Sequence, residues 1–541
     1  MRTAKFVQSP AMRLLLLILL LGLSSAQAAP RAKAKKRAKP AAAGAPPITI
    51  DVFHTNDIHG WIMQRPEEYD PALAGRMIGG AAALSSYLNA RTGPRLLLDA
   101  GDWFQGTPEG NGTEGDALVE VFNLLHYDAV EVGNHDFDFG VDNLKRLVGN
   151  LKMPALGANV YEIGRKRKPD WLKSFVIKEV AGVKVGIFGL LTTNMRNLSL
   201  PDLYRGLEFR REVDEARDVV SLLRGAGATV IIGVTHVGFE SPELGNFEGD
   251  QTIAREVPGI DLIVGGHTHT FLTKPFREPT HGTLIVQDGT GLSRVGAVTL
   301  TIDPQTKRVI ASTGSLVRLW IDEAGVDPEV TKALKPELDR VAKIYDVVVG
   351  TAADTLLRNR DGEASVGDWM ADCERAYSKT DVGLQNGGGI RADLPKGPIT
   401  LRRLFNIMPF DNRVANLTMS GKLLREVFDH GVDNHKAFMQ ISGAEMKYDR
   451  EGPDGSRVAD ITVGGKPLDP EARYTLSTLD FLVRGGDGYT PFDRAEKKEV
   501  EPTLVRDVLK WCVEREKTVV APKGGRMRPM EASSGSQERA R

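Results

Sequence analysis

Several strand-like apolar runs in this chain end in clusters of His, Asp and Asn, the residue types that hold metal ions. The densest cluster is GNHDFDFG at 133–140, which sets Asn134, His135, Asp136 and Asp138 within five residues. HTNDIHG (54–60), GDWFQG (101–106), the Thr235-His236 pair and GGHTHT (265–270) follow similar runs. Together they offer Asp57, His59, Asp102, Asn134, His236, His267 and His269: carboxylate oxygens, one amide oxygen and four imidazoles. This mixed set suits borderline first-row divalent ions such as Zn, Mn or Co. It is a poor all-oxygen cage for calcium and lacks the thiolates of a structural zinc site. Seven ligands are too many for one tetrahedral ion and suit two ions that share a carboxylate. A bound ion lowers the pKa of water from about 15.7 to about 7, and a pair about 3.5–4 Å apart clamps an in-line displacement at phosphorus.

The elements that must position these residues alternate between strand and helix. Residues 48–52 read as a strand that delivers Asp57 and His59 just beyond it, and 95–100 as a buried strand ending at Asp102. Helical patterns over 78–90 and 116–125 precede the strand that runs into Asn134. A hairpin is expected around Ala181-Gly182, a helix over 214–224, and strands over 229–234 and 261–264 that end at His236, His267 and His269. Polar residues at the carboxyl ends of strands are how α/β folds build sites. Residues 328–345 form a charged amphipathic helical pattern without site residues, expected to connect two domains. An α+β region follows, with NGGGIR (386–391), MPFDN (408–412) and FLVRGGDGY (481–489).

At 541 residues the chain exceeds what one core usually supports. The whole carries a formal charge of −1, but nine positive charges lie before residue 40, which leaves −10 on the rest. An acidic body argues against nucleic acid as a partner. Arg2, Lys5 and Arg13, the apolar run 14–23 and Ala26-Gln27-Ala28 make residues 1–29 a secretory signal peptide, cleaved near Ala28 or Ala29. The run is short for a membrane span, and no later stretch is long and apolar enough for one. Residues 30–47 read as a basic, Ala/Pro-rich linker and 523–541 as a disordered polar tail. Cys373 and Cys512 sit in separate helical patterns and are expected as buried thiols.

The ordered set ND-x-HG, GD-x-x-QG, GNH-x-FD, TH and GGH-x-H resembles the calcineurin-like metallophosphoesterases. Within them it is similar to the exported 5′-nucleotidase and UDP-sugar hydrolase family, from residue 48 to about 522. The resemblance implies an N-terminal four-layer α/β/β/α sandwich (48–325), a connector helix (326–345) and a C-terminal α+β substrate-binding domain (346–522). It implies two divalent ions, one held by Asp57, His59 and His269 and one by Asn134, His236 and His267, with Asp102 bridging. His135 would act on the phosphoryl group, oriented by Asp138, as an imidazolium beside developing charge can. Arg360, Asn386, Arg391, Phe410, Asn412, Phe481 and Asp487 would bind the nucleotide, the two aromatics stacking on the base at about 1–3 kcal/mol each. His269 departs from members that carry Gln or Asn there. Asp411 stands where relatives often have Gly, and Gly367-Asp368 where Gly-Asn is common. The implied activity is removal of phosphate from nucleotides in the periplasm or medium. The alternatives are a 2′,3′-cyclic-nucleotide phosphodiesterase with 3′-nucleotidase activity, a nucleotide-sugar pyrophosphatase, a sulfur-oxidation hydrolase, and a catalytically silent surface binding protein.

Overall fold

The computed structural model describes residues 45–530 apart from 68–70, 74, 166, 240–247 and 434–437. The expected signal peptide, most of the linker and the last residues of the tail lie outside the described residues.

Two six-stranded sheets form the middle of the first half. In the first sheet the order is Val309–Arg318, Arg294–Ile302, Ile48–Thr55, Arg95–Asp99, Ala129–Glu131 and Ala155–Leu156. From Ile48–Thr55 onward these strands pair in parallel. In the second sheet Val183–Leu191, Val230–His236, Leu262–Gly265 and Leu284–Val286 are also parallel neighbours. Side chains alternate along each strand, so each sheet has two apolar faces. Val52, Leu96 and Leu98 of one sheet share a core with Val185, Val230 and Ile232 of the other. Leu97 and Phe53 point the other way, into a core with Leu84, Leu118, Phe122 and Leu144 of the helices Ala81–Asn89, Asp116–Leu125 and Val141–Asn150. Ile231 and Ile263 likewise pack with Val219 and Leu223 of the helix Glu212–Gly225. The result is the expected helix, sheet, sheet, helix stack. Because the central strands are parallel, their carboxyl ends gather at one edge, where the polar motifs meet.

The connector helix, Pro328–Tyr345, starts where Asp327 accepts hydrogen bonds from the Glu329 and Val330 amides, with Pro328 at the first helical position. Its Val330 and Leu334 pack into the first-half core. Beyond it lies a five-stranded sheet in the order Gln440–Ser442, Val382–Gln385, Arg473–Leu479, Arg413–Ser420 and Lys497–Leu504. The helices Ser365–Ser378, Gly421–Gly431 and Val505–Glu516 share its core. Among the described residues no helix is long and apolar enough to cross a membrane.

Two expectations are corrected here. Cys373 and Cys512 are joined in a disulfide with their Cα atoms 5.7 Å apart, rather than standing as free thiols. They are 139 residues apart in sequence, and only the packing of helices Ser365–Ser378 and Val505–Glu516 brings them together. Residues 525–529, placed in the expected disordered tail, are held by the rest of the chain. Gly525 and Arg526 donate their amides to Glu363, and Met527–Pro529 adds a parallel strand beside Ala444–Tyr448. An open sheet edge there gives these residues backbone partners that composition does not reveal.

Candidate active site

Three of the strand ends bend sharply as they enter the site. Asp57, His59, Asp102, His267 and His269 all have positive φ, between 49° and 77°. Non-glycine residues hold such angles at a cost of roughly 1–2 kcal/mol each, and the surrounding bonds enforce them. The Asp57 amide donates to the Gly101 carbonyl at 2.9 Å and the His59 amide to the Asp102 carbonyl at 3.0 Å. The Asp136 carboxylate accepts from the amides of Asp102 (3.0 Å), Trp103 (2.8 Å) and Gly133 (2.7 Å), which ties two of the loops together. Gly133 has no room for a side chain: a Cβ there would lie 2.1 Å from Asp102 Oδ1.

The side chains converge as two overlapping groups, Asp57 with His59 and His269, and Asp57 with Asp102 and His236. Asp57 Oδ1 lies 3.2 Å from His269 Nε2, 3.8 Å from His59 Nε2 and 4.0 Å from His236 Nε2. Asp102 Oδ2 lies 3.1 Å from His236 Nε2 and 3.7 Å from His59 Nε2. Asp57 thus belongs to both groups, and Asp102 belongs to one with His59 Nε2 of the other 3.7 Å away. His267 donates its amide to the Asp57 carboxylate, and its ring lies edge-on to that of His236, with centroids 5.2 Å apart.

The donors fit two divalent ions. His59 Nδ1 donates to the Gln105 carbonyl at 2.7 Å and His236 Nδ1 to the Ala100 carbonyl at 2.6 Å, since a carbonyl only accepts. Each Nε2 is thereby turned toward the site, the arrangement second partners impose on ligating histidines. Burial and Arg391 hold His59 and His269 well below the usual imidazole pKa, and burial pushes His267 down to about 3. A neutral imidazole is the ligating form. His236 is pushed up to about 10: burial opposes this, and the Asp102 and Asp57 carboxylates outweigh it. Asn134 Oδ1 is buried without a hydrogen-bond partner, and His236 Nε2 has only the Asp102 carboxylate beside it. Buried polar atoms are seldom left so, and an ion is the partner their chemistry fits.

His135 stands beside this cluster. Its Nδ1 meets Asp138 Oδ2 at 2.9 Å and its amide donates to Asp102 Oδ1 at 2.8 Å. Burial lowers its pKa, but Asp138 and Asp102 outweigh burial and raise it above the usual value. The second half closes over the same place. Arg391 Nη2 is 3.2 Å from His59 Nε2, and the Phe410 ring centroid is 5.5 Å from that of His135. Asn386 Nδ2 donates to Asp487 Oδ2 at 2.6 Å, on the turn where Phe481 lies against Gly486. Arg360 is exposed, and its charge acts on Arg391 and His269. Asn412 accepts the Val505 amide through its backbone carbonyl.

Two matching profiles correspond to the two halves: calcineurin-like phosphoesterase over residues 50–271 and 5′-nucleotidase, C-terminal domain, over residues 348–494. Snake venom 5′-nucleotidase from Crotalus adamanteus is 31% identical over 504 residues, which cover 83% of this chain and 83% of that protein. The chain belongs to the 5′-nucleotidase family. The family member Protein UshA from Yersinia enterocolitica is 28% identical over 88% of this chain and 93% of its own length. The crystal structure of a 5′-nucleotidase precursor from Thermus thermophilus superposes with a TM-score of 0.82, at 28% identity, over 90% of this chain and all of that one. As a 5′-nucleotidase family member the chain is a metal-dependent phosphomonoester hydrolase that acts on nucleotides and uses two divalent ions.

Sequence reasoning missed several residues that shape this 5′-nucleotidase-type site. Asn56 donates to Asp57 Oδ2 at 2.7 Å and to the Gly289 carbonyl at 2.8 Å. Gln287 donates to the Gly266 carbonyl and accepts the Thr270 amide, bracing the loop of His267 and His269. Asp136 was visible within GNHD, but nothing in the sequence shows that its carboxylate is taken up by the backbone of two loops.

Proposed function

We propose that this protein is an exported 5′-nucleotidase that takes a nucleoside monophosphate across the cleft between its halves. Asp57, His59 and His269 would hold one ion and Asn134, His236 and His267 the other, with Asp102 shared. Bound there, the ions would supply an activated water and neutralise phosphate charge. Asp138 fixes the His135 ring through Nδ1, so that Nε2 is free to donate a proton or hydrogen bond to a phosphoryl oxygen. Arg391 adds its guanidinium to the same phosphate, and Phe410 and Phe481 hold the base. Arg360, Asn386, Asn412 and Asp487 complete the substrate pocket, with Asp487 accepting from ribose hydroxyls.

The observation that carries this reading is the closure of the second half on the first, with Arg391 at His59 and Phe410 at His135. A phosphate at the ions is therefore within reach of an aromatic ring for the base. The test compares kcat/KM for AMP with that for an aryl phosphate in the wild type and in Phe410→Ala/Phe481→Ala. Use of AMP is expected to fall far more than use of the aryl ester. An unchanged ratio would make the protein a general phosphatase.

Export is supported by the basic start, apolar run and Ala-x-Ala site, and by the Cys373–Cys512 bond, since disulfides persist mainly in oxidising compartments. Mature protein from the periplasm or medium should begin near Ala29 or Pro30 on N-terminal sequencing. An intact Met1 on membrane-bound protein would defeat the export reading.

A further inference from the structure

The short helix Pro108–Asn111 follows GDWFQG directly and joins both halves of the molecule. Thr107 caps it by accepting the Gly110 amide. The Thr107 hydroxyl donates to the Gly60 carbonyl at 2.8 Å, next to His59. Gly110 packs so closely on Phe104 that a Cβ would meet its carbonyl oxygen at 1.8 Å. On the side of the second half, Arg402 pairs with both the buried Glu109 and Asp346, the residue that ends the connector helix.

Asn111 uses both ends of its amide. Its Oδ1 accepts the Gly106 amide at 2.8 Å, in the loop whose Gln105 carbonyl orients His59. Its Nδ2 donates to the Pro409 carbonyl at 3.1 Å, across 298 residues of sequence. Pro409 immediately precedes Phe410, the ring that lies against His135. One side chain thus spans the two segments whose separation sets how far a base sits from a phosphate.

We infer that Asn111 is a positioning residue for substrate selection, holding Phe410 at a set distance from the ion-binding loops. This rests on the proposed role of Phe410 in holding the base. Asn111→Asp separates the two bonds: it keeps an acceptor for the Gly106 amide and sets a carboxylate oxygen against the Pro409 carbonyl. Asn111→Ala removes both bonds.

The experiment measures kcat/KM for AMP and for p-nitrophenyl phosphate in wild type, Asn111→Asp, Asn111→Ala, Phe410→Ala and Asn111→Asp/Phe410→Ala, with metal content determined for each. The ratio of AMP to aryl ester should fall about three- to tenfold in Asn111→Asp, the scale of one intramolecular hydrogen bond. Bound metal should stay at the wild-type amount. Asn111→Ala should show the same fall in ratio, and adding Asn111→Asp to Phe410→Ala should change the ratio less than about twofold, because coupled residues are not additive. A wild-type ratio in both Asn111 variants, with a lowered ratio in Phe410→Ala, overturns this inference and leaves the base-holding role of Phe410 standing. An equal effect of Asn111→Asp with and without Phe410 also overturns it. An unchanged ratio in Phe410→Ala removes the base-holding role of that ring, and this inference with it.

Discussion

Replacing Asp136 with Asn should weaken metal binding although Asp136 is not placed among the ligands. Its Oδ2 takes two backbone amides, from Asp102 and Gly133, and its Oδ1 takes a third, from Trp103. Asparagine has one carbonyl oxygen. It can keep the pair at Oδ2, but its NH2 group then faces the Trp103 amide, donor against donor. One charge-assisted hydrogen bond is lost, a change of about 1.5–3 kcal/mol. The loops cannot shift to recover it, because Gly133 already lies against Asp102 with no room for a Cβ. The strain falls on Asp102 and Asn134, one in each tied loop. Outer partners of ligands typically cost about 10–100-fold in metal affinity when removed, which matches the lost bond at about 1.4 kcal/mol per tenfold. The assay is competition for Zn or Mn against a chelating indicator, with circular dichroism to confirm an intact fold. Two ions bound by Asp136→Asn with wild-type affinity would refute the claim that this carboxylate holds the ligand loops.

Two further outcomes follow from buried groups. His135→Ala should retain its metal but lose turnover by about 10²-fold or more, as for other groups that stabilise charge at a reacting phosphate; elemental analysis showing metal loss would instead make His135 a ligand. Glu374 is fully buried with both carboxylate oxygens unpartnered, and burial holds its pKa well above the usual 4.5. A raised folded pKa means that the stability it contributes is present below about 4.5 and is lost as pH rises through the folded value. Glu374→Gln cannot ionise, so its urea midpoint should gain on the wild type between pH 5 and pH 9, and a constant difference would show that Glu374 is not the titrating group.

The alternation of strand and helix and the place of the site were legible in the sequence for one physical reason, while the two-sheet sandwich came only with the family resemblance. Parallel strands buried on both faces read as short apolar runs, and their carboxyl ends must gather at one edge, so HTNDIHG, GDWFQG, GNHDFDFG, TH and GGHTHT had to meet. Residue type then limited the chemistry to mixed nitrogen and oxygen ligation. What only the tertiary structure decided depends on contacts with no local trace. Asp57 faces both ligand groups because positive φ at strand ends re-aims its side chain, and no periodicity encodes that. Cys373 meets Cys512, and Met527–Pro529 becomes a strand, because a sheet and two helices formed by distant segments leave a partner there. Asn111 reaches Pro409 because the connector folds the second half back over the first. Sequence spacing carries the period of an element but neither the register nor the docking of one half on another, and these last contacts exist only once both are set.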